Sequence, residues 1–391
     1  MLRKDDDNPN RLNDESLGIY LHIPFCVRKC RYCDFLSFAG ADADVIASYA
    51  HKLIGEISGR SVEFGPDRTV DTVYFGGGTP SLLSPKLVGE VLDVVYARYR
   101  VADDAEITLE ANPGTVSEDT LRGYIGAGVN RLSIGAQSFD AKKLRYLGRI
   151  HSAADTRDAF AYARAAGFGN IGMDLIFGVP GETIAGWLDD MDEALQLAPE
   201  HLSFYSLTPE KGTPVFQDIV GGRVTEVSEI DDRLMYHSAI ERLAEAGYRH
   251  YEISNAAKPG YESRHNLKYW SLDDYVGFGL GAHSYCDGFR FANTERMMEY
   301  MSAVTPLSMM AWEHANTASD DMAEFIFLGL RRTDGIDLAR FSAVFGMNFW
   351  DLYKEETDGL IERGLLEQAG DTLRLTRLGL DLSNRVFQEY V

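Results

Sequence analysis

The stretch LGIYLHIPFCVRKCRYCDF, residues 17–35, holds an apolar run and, directly after it, three cysteines within eight residues, Cys26, Cys30 and Cys33. A fourth cysteine, Cys286, lies far downstream. A structural zinc site takes four protein ligands, and neither a second CxxC nor an HxxxH is present to complete one. An iron-sulfur cubane takes thiolates at its irons. Three thiolates on a short loop hold three irons and leave the fourth open to a small molecule, so the missing ligand is the informative part. A reducing compartment suits three neighbouring thiols that stay available for metal.

Working outward, LGIYLHI from Leu17 is the first of six strand-like runs. The others are TVYFGG from Thr72, EITLEAN from Glu106, NRLSIGAQ from Asn130, NIGMDLIFG from Asn170 and HLSFYSL from His201. Segments of 3.6-residue periodicity separate them, and another follows the sixth. Strand alternating with helix implies parallel strands and right-handed crossovers, hence a partial (βα)6 barrel of the TIM type, with a doubly wound sheet as the alternative. The barrel is favoured because glycine-rich or polar residues gather just after several strands, where barrels carry their chemistry.

Four divisions follow: a polar tail over 1–16, the barrel over 17–247, a connecting region over 248–308 that reads as irregular around the glycine-rich VGFGLGAHSYCDG, and a module over 309–391. In the last, helical patterns precede LLEQAGDTLRLT, two short strands about a Gly-Asp turn, which suggests a small winged-helix-like domain. Lys and Arg total 38 against 60 Asp and Glu, a net charge of −22. That balance argues against nucleic acid or an anionic membrane as partner, and favours packing over DNA binding for the winged helix. No apolar run reaches spanning length and the tail has no signal-peptide core, so the expected location is the cytoplasm.

GGGTP, Gly76 to Pro80, follows the second strand and offers backbone to a polar head group without side chains in the way. Glu110 and Gln137 end the third and fourth strands, and Asp174 sits inside the apolar fifth. Each costs several kcal/mol to bury without a partner. Arg149, in LGRIHS, could supply charge, and an Asp174–Arg149 ion pair fits the same residues. His22 reads as structural. Cys286 reads as a small buried hydrophobe, and His283 beside it has no clear role.

The CxxxCxxC spacing resembles the radical S-adenosylmethionine (SAM) superfamily, whose loop binds a 4Fe-4S cluster and leaves one iron for the amino and carboxylate groups of SAM. Reduction of that cluster can split SAM into a 5′-deoxyadenosyl radical. YLHIPFC, YFGGGTPS, LEANP, RLSIGAQSF, LGRIHS and DLIFGVPGET are similar to the branch that holds oxygen-independent coproporphyrinogen III oxidase and the HemW-like haem chaperones. The resemblance implies that Cys26, Cys30 and Cys33 bind the cluster, and that Tyr20, Tyr32, Gly77, Gly78, Thr79, Glu110, Gln137, Arg149 and Asp174 contact SAM.

Two features separate the relatives. The oxidase carries a further cysteine two residues after the third, where this chain has Phe35. The HNxxYW signature of the chaperones matches HNLKYW, so His265, Asn266, Tyr269 and Trp270 are expected at haem. Imidazole ligates haem iron, and tyrosine and tryptophan offer flat faces to a porphyrin. A hydrogen-bonded histidine beside two core aromatics is the plain alternative. The implied function is binding of haem and its delivery to a haem-requiring acceptor protein, with no catalytic residue named, a homodimer admitted and no stable membrane insertion; the alternative is the oxidase, which decarboxylates propionates.

Overall fold

The computed structural model describes residues 16–64 and 68–391, so the tail expected over 1–16 lies, but for Ser16, outside the described residues. In chain order the strands are β1 (Ser16–Ile23), β2 (Phe25–Cys26), β3 (Phe38–Ala39), β4 (Thr69–Gly77), β5 (Arg100–Ala111), β6 (Arg131–Gln137), β7 (Ile171–Phe177) and β8 (His201–Ser206). Then come β9 (Arg249–Glu252), β10 (Asn255–Ala257), β11 (Tyr275–Phe278), β12 (His283–Cys286), β13 (Phe289–Asn293), β14 (Met310–Ala315), β15 (Ile336–Asp337), β16 (Leu366–Ala369) and β17 (Thr372–Leu375).

All six strands read from the sequence are present, as β1 and β4 to β8. Each pairs in parallel with the next. The crossovers are the helices Ala43–Phe64, Pro85–Arg98, Glu118–Ala127, Ala153–Ala166 and Ile184–Gln196, and Glu229–Glu245 follows β8. Helices over the outer face and side chains within bury these strands on both sides, which is why β6 is buried at every residue. Local chemistry sets the helix limits. Ser84, Ser117, Ser152, Thr183 and Ser228 accept a first-turn N–H, and Gly128 and Gly167 end their helices in the left-handed conformation.

The barrel stays open. Its sheet runs on past both edges in the order β14-β13-β12-β11-β1-β4-β5-β6-β7-β8-β10-β9. The 248–308 stretch therefore supplies regular strands to the barrel sheet, where irregular structure was expected. Its strands are three to five residues long and are punctuated by Gly279, Gly281 and Gly288 at positive φ, too short for a periodic signal.

The C-terminal module has its own core. Helices Ala318–Gly329, Leu338–Phe345 and Phe349–Glu362 pack with a small sheet in the order β15-β17-β16, and β16 and β17 form the expected hairpin. Phe325, Phe341, Phe345 and Phe349 make edge-to-face and tilted contacts there, each worth about 0.5–1.5 kcal/mol beyond its buried area. The module meets the barrel through Tyr285, whose O–H donates to Asp321 at 2.8 Å, and through His237, 2.9 Å from Asp381. Among the described residues no helix is long and apolar enough to cross a membrane.

Candidate functional site: two adjoining cavities

The cysteine loop leaves β1 at Ile23 and folds over the C-terminal end of the barrel. It is tied by β2 pairing with β3 and by the Arg31 N–H, which donates to the Leu147 carbonyl at 3.0 Å. Beneath it lies a cavity of about 400 Å³. Cys26, Cys30, Cys33, Tyr32, Gly77, Gly78, Thr79, Glu110, Gln137, Arg149 and Asp174 all line it, so the barrel brings together every residue expected at cluster and SAM except Tyr20.

The three thiols are free and half-buried. Thr79 Oγ1 donates to Cys26 Sγ at 3.5 Å, and Arg149 Nη1 to Cys30 Sγ at 3.4 Å. Such donors suit sulfurs that carry negative charge. Among the described residues no three His, Cys, Asp or Glu side chains converge on a single ion. A cubane makes no such demand, since each thiolate binds a different iron.

The floor of the cavity is acidic. Glu110, ending β5, accepts from Tyr74 O–H at 2.8 Å and from the Gly77 N–H at 3.2 Å. Burial first, and Asp174 second, push its pKa up to about 7. Asp174 accepts from Ser133 Oγ at 3.2 Å, and burial raises its pKa too. Among the described residues Asp174 and Arg149 form no ion pair. Arg149 instead donates to the Gly135 carbonyl at 2.7 Å and to Asn112 Oδ1, and its Nε is buried without a partner. Gln137, at φ +66°, holds a left-handed backbone that a non-glycine residue adopts at a cost.

The GGGTP turn is tightly packed. The N–H of Gly77 is spent on Glu110 and that of Gly78 on the Ile23 carbonyl at 2.9 Å, so neither is free for a head group. What the glycines provide is room. A Cβ on Gly77 would stand 2.5 Å from His22 Cε1, and one on Gly78 would stand 2.6 Å from the Phe25 carbonyl oxygen.

A second cavity, of about 730 Å³, adjoins the first and shares Asp34, Phe35, Gly77 and Glu110 with it. Tyr20, Tyr269 and Trp270 line this one. The helix Arg264–Trp270, capped by Ser263, thus divides the HNLKYW segment: Asn266 faces the first cavity, Tyr269 and Trp270 the second. His265 lines neither. It is 1% exposed, with Nδ1 2.8 Å from Thr72 Oγ1 and Nε2 2.8 Å from Tyr269 O–H, so both ring nitrogens are engaged. Burial pulls its pKa down to about 3. Direct contact with a haem iron would cost it one of those bonds, and the plain alternative describes its present state.

His22 is structural as expected, bonded to Tyr20 O–H and the Leu36 carbonyl. Cys286 is buried as expected but in polar company, accepting from Arg68 at 2.8 Å beside Asp274 and Asp287. Asn112, Tyr74, Ser133 and Arg131 join the first cavity without having been singled out. Asn112, two residues after Glu110 in LEANP, was the one with a signal: a polar side chain just past a strand end.

The Radical SAM superfamily pattern matches residues 20–198, and the HemN C-terminal domain pattern matches 316–382. "Heme chaperone HemW" of Escherichia coli (strain K12) is 37% identical over 96% of this chain and 98% of its own length. The protein of that name from Bacillus subtilis (strain 168) is 35% identical over 95% and 98%. The solved structure of coproporphyrinogen III oxidase (HemN) from Escherichia coli, described as a radical SAM enzyme, superposes with a TM-score of 0.85. It is 22% identical, over 96% of this chain and 90% of that one, a likeness of fold.

Proposed function

Because this chain belongs to the radical SAM superfamily, and within it to the family of the HemW heme chaperones, we propose that it binds haem and delivers it to a haem-requiring protein in the cytoplasm. In this reading Cys26, Cys30 and Cys33 hold a 4Fe-4S cluster, and SAM fills the rest of the first cavity. When bound, the cluster supplies an open iron that can take the amino and carboxylate groups of SAM.

The chain's own residues suit that loading. Of the three free thiols, Cys26 accepts from Thr79 and Cys30 from Arg149. The buried carboxylates of Glu110 and Asp174 offer negative charge to the cationic groups of SAM, and Arg149 carries an unpartnered buried Nε. The glycines at 77 and 78 let the turn pack directly against His22 and the Phe25 backbone, which adjoins Cys26.

The observation that carries the chaperone reading is the second cavity. Its volume falls within the range of about 300–1,000 Å³ typical of small-molecule sites. Tyr269, Trp270, Tyr275 and Phe35 give it flat aromatic walls, and it touches the first cavity without being part of it. Cargo can rest there beside the cluster. Phe35 borders both cavities, at the position where the oxidase has its extra cysteine.

The test is anaerobic reconstitution with iron and sulfide followed by a haem titration. A saturable Soret shift, and restoration of activity in a haem-depleted acceptor enzyme, support the reading. Multiple turnovers of coproporphyrinogen with no haem retained would replace it with the oxidase.

A further inference from the structure

We propose that haem seats in the second cavity with His283 on its iron, and that His265 is a positioning residue which pins Tyr269 at the cavity wall. The inference rests on the haem-binding reading above and names the ligand within it.

The cavity wall is one face of the sheet extension. Side chains alternate along a strand, so His283 and Tyr285 of β12 point the same way, and Tyr275 and Arg290, which pair with Tyr285 from the neighbouring strands, join them. All four line the cavity. Tyr275 gives flat surface, and Arg290, lying over the Tyr285 ring at 4.8 Å and held by Glu324 at 2.5 and 2.7 Å, stands on the wall as a cation for a propionate.

Three histidines lie on or against this cavity, and two are committed elsewhere; His314, which pairs with Arg290 from β14, sits 3.5 Å from Asp320 and is not on the cavity wall. His22 is buried, with both ring nitrogens engaged by Tyr20 and Leu36. His265 is buried, with both engaged by Thr72 and Tyr269, and is absent from the wall. His283 is exposed, and its ring touches Trp312 edge-on at 5.6 Å between centroids. No hydrogen bond among the described residues ties that ring. Partial burial of the ring lowers its pKa, which favours the neutral imidazole, the form that binds iron.

His265 acts at one remove. Its Nε2 and the Tyr269 hydroxyl are 2.8 Å apart across one helical turn, and Tyr269 in turn meets Tyr275 edge-on at 4.6 Å. Fixing Tyr269 fixes the wall against which a porphyrin would lie.

The test uses the full-length protein reconstituted anaerobically, haem as probe, and Soret and electron paramagnetic resonance spectra. His283→Ala is expected to lose the wild-type axial signature and weaken binding by more than about tenfold, and added imidazole is expected to restore the signature. His265→Ala is expected to bind more weakly yet keep it. His283→Gln and far-ultraviolet circular dichroism check that the fold survives. An unchanged spectrum in His283→Ala and His283→Gln overturns the ligand assignment and leaves the haem reading standing; the signature lost in a folded His265→Ala overturns the positioning role. Wild type that takes up no haem overturns both.

Discussion

Replacing Glu110 by glutamine is expected to make the cofactor-free protein more stable at pH 8 while weakening its hold on SAM. Burial and Asp174 lift the Glu110 pKa from the ordinary 4.5 to about 7. The folded state therefore resists its ionisation. A span of about 2.5 pH units at 1.36 kcal/mol each amounts to about 3 kcal/mol, absent below pH 4.5, growing as pH rises to 7 and constant above. Glutamine removes that cost. It also gives up one of the two acceptors now used by Tyr74 and Gly77, at about 1 kcal/mol. The variant should thus gain roughly 2 kcal/mol at pH 8, lose about 1 at pH 4.5, and cross wild type between the two. Urea unfolding of both proteins at a series of pH values reads the difference, which isolates Glu110 from other titrating groups. Calorimetry on the reconstituted protein should show SAM bound about tenfold more weakly, the scale of one lost charge-assisted hydrogen bond. A variant less stable than wild type at pH 8, or a stability difference that does not change with pH, refutes the electrostatic account.

Gly78→Ala sets a Cβ against the Phe25 backbone, which cannot swing away. A loss of about 1–3 kcal/mol on urea unfolding and poor iron incorporation are expected, since Phe25 adjoins Cys26. Tyr269→Phe leaves the buried Nε2 of His265 without its partner; thermal melts should register about 1–3 kcal/mol, while the haem spectrum keeps its axial character. Phe35→Ala removes a side chain that is 64% exposed yet borders both cavities, so stability should stay within about 0.5 kcal/mol and iron content should hold, while a haem titration shows weaker binding.

The barrel and the first cavity were legible because their signals are local. A cysteine spacing, a run of glycines after a strand and a carboxylate at a strand end keep their meaning whatever the rest of the chain does. The second cavity was not, because its sheet wall is assembled from β11, β12 and β13, strands of four and five residues that become regular only by pairing in succession onto the edge at β1. The role of His265 depends on burial, which no hexapeptide reveals. Its alternative, a hydrogen-bonded histidine among aromatics, describes the ring, while Tyr269 and Trp270 of the same segment reach a cavity. Tyr20 lies apart from the other residues expected at SAM. It stacks near Tyr74 and His265 and lines the second cavity, not the first.

The most direct measurement is an anomalous diffraction map at the iron edge from crystals of the protein reconstituted anaerobically and loaded with haem. Two centres are expected in each chain: a cluster against Cys26, Cys30 and Cys33, and a separate single iron between His283 and the aromatic wall of Tyr269 and Trp270. A cysteine loop without iron, or a haem iron lying outside the second cavity, would contradict that expectation.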